Sequence, residues 1–309
     1  MTVEHRRVHA DDAWRIRAFL REVFLADDRR SRVWHVARFD YTWWHVLPNV
    51  AERRLEDVAW VWEEGDRVVG LLLPDGPPGD AHPSVAPHVR GRVEDAMLDV
   101  AEAELAGRDA EGSAHLTVWV DASDGAFAGA LERRGYRRSD TVERRWRGAI
   151  EPERAPVVPP AGYVVRALGD GLELLERCYA SGLAFHDGDL ACAAENRADP
   201  SWYRRLQRAP LYRRDLDLVA LDGDGAIAGF ATAWFDDVTR SALLEPVGVV
   251  PAHQRRGLGR ALVSAALARA ARQGATMALV GGYDDAANAL YGRFLADGYD
   301  DVAAWTRRW

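Results

Sequence analysis

The chain has 309 residues, 48% of them hydrophobic and 28% charged, which is enough apolar material for about two ordinary globular domains. Its formal charge of -8, from 40 Lys+Arg against 48 Asp+Glu, argues against nucleic acid and against an anionic membrane as partners. Two cysteines, Cys178 and Cys192, make no disulfide framework. The opening MTVEHRRVHADDAW lacks the apolar core of a signal peptide, and no run approaches the roughly 20 apolar residues of a membrane span. The expectation is a cytoplasmic protein with reduced thiols. The histidines and cysteines show no Cys/His ligand spacing, so no metal is expected.

In chain order, ADDAWRIRAFLREVF predicts an early helix, and VAWVWEEGDRVVGLLLP (58–74) a strand, a turn and a strand. RGRVEDAMLDVAEAELAG (90–107) reads as a helix, SAHLTVWVD (113–121) as a strand, GAFAGALERRGY (125–136) as a helix and TVERRWRG (141–148) as a strand. A stretch with Pro152, Pro156, Pro159 and Pro160 then predicts an extended linker over 151–161. Beyond it come the strand YVVRAL, a helix over 171–183 with Leu172, Leu175, Cys178 and Tyr179 at helical spacing, and a helix over 201–209. Two strands over 217–235 turn at Asp222-Gly223-Asp224-Gly225. A strand over 241–250 stops at Pro251, and an Ala-rich helix over 259–274 closes at Gly274. A strand over 276–282, a helix over 287–298 and a final strand complete the order. The halves, 1–150 and 162–309, repeat one another in element order, as two mixed-sheet α/β domains from an internal duplication.

The segment VGVVPAHQRRGLGRAL (247–262) carries the chemistry. It is a buried strand, a proline stop, a basic glycine-containing loop and a helix. Gly257 and Gly259 allow close backbone approach. The helix start aims free N–H groups and the positive dipole end at the loop, and Arg255, Arg256 and Arg260 add charge. Together these suit a pyrophosphate. The spacing matches neither GxGxxG nor GxxxxGK[ST], so nucleotide hydrolysis is not indicated.

This loop resembles the Q/RxxGxG/A acyl-CoA signature of the GNAT superfamily, and NALYGRF (288–294) resembles that superfamily's helix whose tyrosine sits near the thioester. The resemblance covers 162–309 well. It implies acyl-CoA, normally acetyl-CoA, in a gap between the strands at 243–250 and 276–282. The implied cofactor contacts are Val247, Val249, Gln254, Arg255, Arg256, Gly257, Leu258, Gly259, Arg260 and Asn288. The first half resembles the same fold with a degenerate loop. In VAPHVRGRVEDAM only Gly91 remains, and Glu94 and Asp95 occupy the first helical turn, where they satisfy the dipole and repel a pyrophosphate. The layout is similar to that of mycothiol-synthase-like tandem members.

The implied reaction is direct attack of a primary amine on the thioester, which needs a base, an oxyanion donor and an acid for the thiolate. Glu245 is the expected base. A carboxylate within LLEPVGVV is costly to bury without a task, and period-two geometry puts 243, 245, 247 and 249 on one face. Tyr291 is the expected acid, with Phe294 one turn away as the alternative occupant of that position. The polar stretch 183–203, with His186, Asp187, Asp189 and Glu195, is the expected acceptor loop. Among the 12 tryptophans, Trp34, Trp43, Trp44, Trp60 and Trp62 of the first half suit core or interface anchors better than an aromatic pocket. A small-molecule amine is the expected acceptor; a protein or peptide amine, and a non-catalytic acyl-CoA-binding module, are the alternatives.

Overall fold

The computed structural model describes residues 2–151, 153 and 155–309. The chain forms two compact units. The first runs up to Trp146 and includes Gly281–Asp285 and Tyr299–Trp309; the second is Arg147–Val280 with Ala286–Gly298.

The first unit contains, in chain order, β1 (Val3–Arg7), α1 (Ala13–Ala26), α2 (Val36–Tyr41), α3 (Leu55–Val58), β2 (Trp60–Glu64), β3 (Arg67–Leu73), β4 (Asp80–Val85), α4 (Glu94–Glu104), β5 (Gly107–Arg108), β6 (Ala114–Asp121), α5 (Gly125–Arg133) and β7 (Arg137–Ala149). Helix α1 buries Ile16, Phe19, Leu20, Val23 and Phe24, a single stripe at helical spacing. Trp34, Trp60 and Trp62 are buried, as core anchors are.

The second unit contains β8 (Val164–Ala167), α6 (Leu172–Phe185), α7 (Leu190–Ala198), α8 (Ser201–Leu206), β9 (Asp217–Leu221), β10 (Ile227–Asp236), β11 (Ser241–Val249), α9 (Leu258–Arg272), β12 (Met277–Gly282) and α10 (Asp285–Tyr291). Its strand order is β12-β11-β10-β9-β8. Neighbouring residues of β10 mark its two faces. A Cβ on Gly229 would meet Leu262 of α9 at 3.1 Å, whereas the Phe230 ring lies 3.5 Å from the guanidinium of Arg177 on α6. Helices α9 and α6 therefore cover opposite faces.

The last strand, β13 (Gly298–Arg308), lies in the first unit, between β6 and β7. It pairs antiparallel with β6 from Val302↔Asp121 to Arg308↔His115. Buried Asp300 accepts from Arg30 Nε at 2.9 Å and from Ser31 N at 3.0 Å. The element order along the chain places this strand with residues 162–309, whereas it pairs with β6 of the first unit. Its alternating pattern specifies a strand but carries no information about which sheet receives it.

Three other stretches differ from the sequence expectation. The predicted helix over 287–298 stops at Tyr291. Phe294 N and Leu295 N both bond the Tyr291 carbonyl, at 3.0 and 2.9 Å, and Asp297 Oδ2 accepts from Ala149 N at 2.7 Å. Residues 190–198, expected to be irregular, form α7. Asp189 caps it by accepting from Ala191 N at 2.8 Å and Cys192 N at 3.2 Å. The core stripe of α6 is Leu174, Arg177, Cys178 and Ser181, while Leu172 is exposed.

Burial pushes the Cys178 thiol up to about 12. In native protein at pH 8, a thiol reagent is expected to modify Cys192 alone. Unfolding in denaturant should release a second thiol per chain; two reactive thiols in the native state would contradict the packing of α6. Among the described residues no helix is long and apolar enough to cross a membrane.

Candidate active site

The basic loop has the predicted local build. Val250 leads into a short turn over Pro251–His253; Arg255 takes a left-handed backbone at φ 61°, and Gly257, also left-handed at φ 88°, is the N-cap of α9. No side chain caps this 15-residue helix. Its first-turn N–H groups are left for a ligand, and the dipole adds positive potential there. Arg255 and Arg260 are exposed and make no side-chain hydrogen bond or ion pair among the described residues.

Two residues of the loop are tied down. Gln254 Nε2 donates to the Val249 carbonyl at 3.1 Å, closing the end of β11. Arg256 Nη1 donates to the Tyr163 hydroxyl at 3.1 Å, which also bonds His253 Nδ1 at 2.9 Å. Residues 157–160 run alongside. Val157 N bonds Ser264 Oγ of α9 at 2.9 Å, and Pro160 would lie 3.7 Å from a Cβ on Gly257.

Strands β11 and β12 pair in parallel at only three positions, Ser241↔Met277, Ala242↔Ala278 and Leu243↔Leu279. Strand β11 runs on to Val249 without further β12 partners among the described residues. This loss of pairing is the gap that the resemblance implies. Helix α10 closes in from the other side, since a Cβ on Gly259 would meet Leu290 Cδ2 at 3.1 Å and Val249 Cγ2 at 3.9 Å.

Glu245 is half-buried where β11 has left its β12 partners, but residues 243, 245, 247 and 249 do not share one face as simple alternation expects. In the β10–β11 ladder Ala231 pairs with Val247 and Ala233 with Leu244, so β11 carries one extra residue. The bulge spans Glu245 and Pro246, whose peptide bond is cis. Alternation breaks there. Leu243 pairs with Trp234 and lies on the face of Phe230, whereas Val247 and Val249 lie on the α9 face. Buried Trp234 donates its indole N–H to the Glu245 carbonyl and pins the bulge. Tyr291 and Phe294 are both buried at the end of α10, and Asn288 is half-buried one turn before Tyr291. His186, Asp187, Asp189 and Glu195 are all exposed, with Asp189 engaged as the α7 cap.

The first unit's counterpart differs in two ways. Glu94 accepts from Gly91 N at 2.7 Å and Val93 N at 3.1 Å, so a buried carboxylate occupies the anion position at the start of α4. Strands β4 and β6 pair in parallel only at Asp80↔Thr117 and Ala81↔Val118. Where they part, the rings of His82 and Trp119 stack at 5.9 Å, and Trp34 lies 5.0 Å from His82. One acetyl-CoA per chain is therefore expected in calorimetry, and Arg92→Ala in the degenerate loop should leave its affinity unchanged. A stoichiometry of two, or a clear loss in Arg92→Ala, would reverse this assignment.

The splayed strands and the uncapped, glycine-led helix define an acyltransferase fold of the GNAT type. Residues 183–296 match the acetyltransferase (GNAT) family. The chain as a whole has the tandem GNAT fold. It is similar in structure to a tandem GNAT protein from the clavulanic acid biosynthesis pathway, at TM-score 0.66 and 20% identity over 99% of this chain and 98% of that one. A GCN5-related N-acetyltransferase from Sphaerobacter thermophilus gives 0.61 and 18%, over 99% and 95%. A GCN5-related glucosamine N-acetyltransferase region of a fungal multi-domain β-N-acetylglucosaminidase gives 0.57 and 14%, over 99% of this chain and 38% of that one. At these identities the similarity speaks to fold. A search of curated proteins gives no significant match.

Proposed function

We propose that the chain transfers an acetyl group from acetyl-CoA to a primary amine of a small molecule, by direct attack of the amine on the thioester, at a single site in the second unit. The observation that carries this reading is the coincidence of two features. The β11–β12 ladder ends after Leu243↔Leu279, and the adjacent α9 begins at Gly257 with no side-chain cap. The exposed strand edge suits an extended pantetheine arm, and the helix start with Arg255 and Arg260 suits a pyrophosphate.

In this reading Glu245 takes the proton from the attacking ammonium, directly or through a water. Backbone N–H groups at the bulge, about Val247, supply the oxyanion donor, since a bulge frees ladder groups. Tyr291 returns a proton to the leaving thiolate. The half-buried carboxylate in the bulge favours turnover over a module that only holds acyl-CoA.

Calorimetric titration with acetyl-CoA, with desulfo-CoA and adenosine diphosphate as controls, tests the cofactor. An amine screen that follows release of free CoA tests the chemistry. Absence of acetyl-CoA binding would overturn the reading, and binding without turnover of any amine would turn it toward a binding role.

A further inference from the structure

Arg177 is fully buried on α6, and none of Nε, Nη1 and Nη2 has a hydrogen-bond partner among the described residues. Its guanidinium carbon lies 3.5 Å from the centroid of Phe230 and 4.9 Å from that of Tyr203. Stacking on aromatic rings accounts for the faces of the guanidinium but leaves its in-plane N–H donors unanswered. A buried charged group with its donors unmet is strongly destabilising, so such a group calls for an acceptor.

The buried carboxylate of the same core does not supply one. Asp217 Oδ2 accepts from the hydroxyls of Tyr203 and Tyr212, each at 2.7 Å, and Oδ1 from Thr232 at 3.1 Å. Its oxygens are spent on neutral donors while the cation beside Tyr203 has none.

The location points toward the acceptor. Phe230 pairs with Gly248 of β11, and a Cβ on Gly248 would stand 2.4 Å from Phe230 Cζ. The tip of the Phe230 ring therefore fills the space over Gly248 of β11, with the Arg177 guanidinium against the same ring, on the face opposite α9. Phe185, half exposed at the end of α6, meets Phe230 edge-on at 5.7 Å and covers this layer from outside. Gly248 is three residues from Glu245, about 10 Å at most along a strand.

We propose that Arg177 is a specificity residue that binds an oxyanion of the acceptor, its carboxylate, so that the substrate is an amine set several bonds from a carboxylate, an ω-amino acid in class. A guanidinium edge matches a carboxylate through two parallel N–H bonds. The inference rests on the acetyltransferase reading for the amine end, while the anion site itself stands on Arg177 alone.

The test uses matched pairs: ω-amino acids of increasing length and the corresponding amides, assayed with acetyl-CoA by CoA release. The wild type should favour the acids by at least 30-fold in kcat/KM. Arg177→Met should lose that preference through KM, with turnover of the amides and affinity for acetyl-CoA unchanged, and Arg177→Lys should recover part of it. Equal rates on acids and amides, or a preference that survives Arg177→Met, would overturn the proposal. A second measurement does not depend on turnover. The acids should raise the wild-type Tm and leave Arg177→Met unmoved, and Arg177→Met without ligand should melt no lower than the wild type. A marked fall in its Tm, with no stabilisation of the wild type by any acid, would make Arg177 a purely structural cation. Acid binding without acetylation would instead count against the acetyltransferase reading and leave the anion site standing.

Discussion

Gly259→Asp is expected to raise the Kd for acetyl-CoA at least 100-fold, a loss of about 2.7 kcal/mol. Two effects add. The carboxylate would sit in the first turn of α9, where it answers the open N–H groups and opposes a pyrophosphate electrostatically, as buried Glu94 does at the start of α4. The new Cβ would also press on Leu290 Cδ2 at 3.1 Å and push α10 away from the helix start. Gly259→Ala separates the two, because it adds the Cβ without the charge against the flexible end of a leucine; its loss should be several-fold only. An intact near-ultraviolet circular dichroism spectrum would show that the aspartate variant still folds. Unchanged affinity in calorimetry would remove the loop as the pyrophosphate site.

Glu245→Gln is expected to lower kcat by about 10²–10³-fold at neutral pH, the usual contribution of a positioned base, with the Kd for acetyl-CoA within about twofold of wild type. The amide keeps the shape of the side chain and leaves the Trp234 bond to the Glu245 carbonyl in place, so the bulge should survive. Rescue is the more telling readout: addition of a small amine base should recover part of the loss. Full activity in Glu245→Gln would assign the base role to another residue or to water. Tyr291→Phe, compared in the same assay, reports on the acid; since Phe294 is also buried beside it, an unaffected rate would take Tyr291 out of the thiolate's environment.

Much of the site is local in sequence, and that part was legible. A strand, Pro251, two glycines and a helix within 247–262 fix the loop because strand exit, left-handed Gly257 and helix start are neighbours along the chain. The same holds for Glu94 at the start of α4, which lies three residues from the Gly91 N–H that it bonds. The placement of Glu245 was legible only in part. Alternation holds along a regular strand, but the extra residue opposite Ala231–Ala233 is specified by the partner strand and by Trp234, and no pattern within LLEPVGVV reveals it.

Most elements, their repeated order and the build of the basic glycine-led loop were readable from the chain alone, because each rests on periodicity or turn chemistry over fewer than about 20 residues. The rest depends on partners far apart in the chain. Strand β13 joins β6, across nearly two hundred residues. His82 and Trp119 meet where β4 and β6 part. Arg177 turns into the core because the stripe of α6 is set by Leu174, Cys178 and Ser181 against β10, and helical spacing alone allowed Leu172, Leu175 and Tyr179 equally well. A charge in the middle of a helix reads as solvent-facing until its neighbours across the fold are known, and for that reason the residue proposed to select the acceptor was invisible in the sequence.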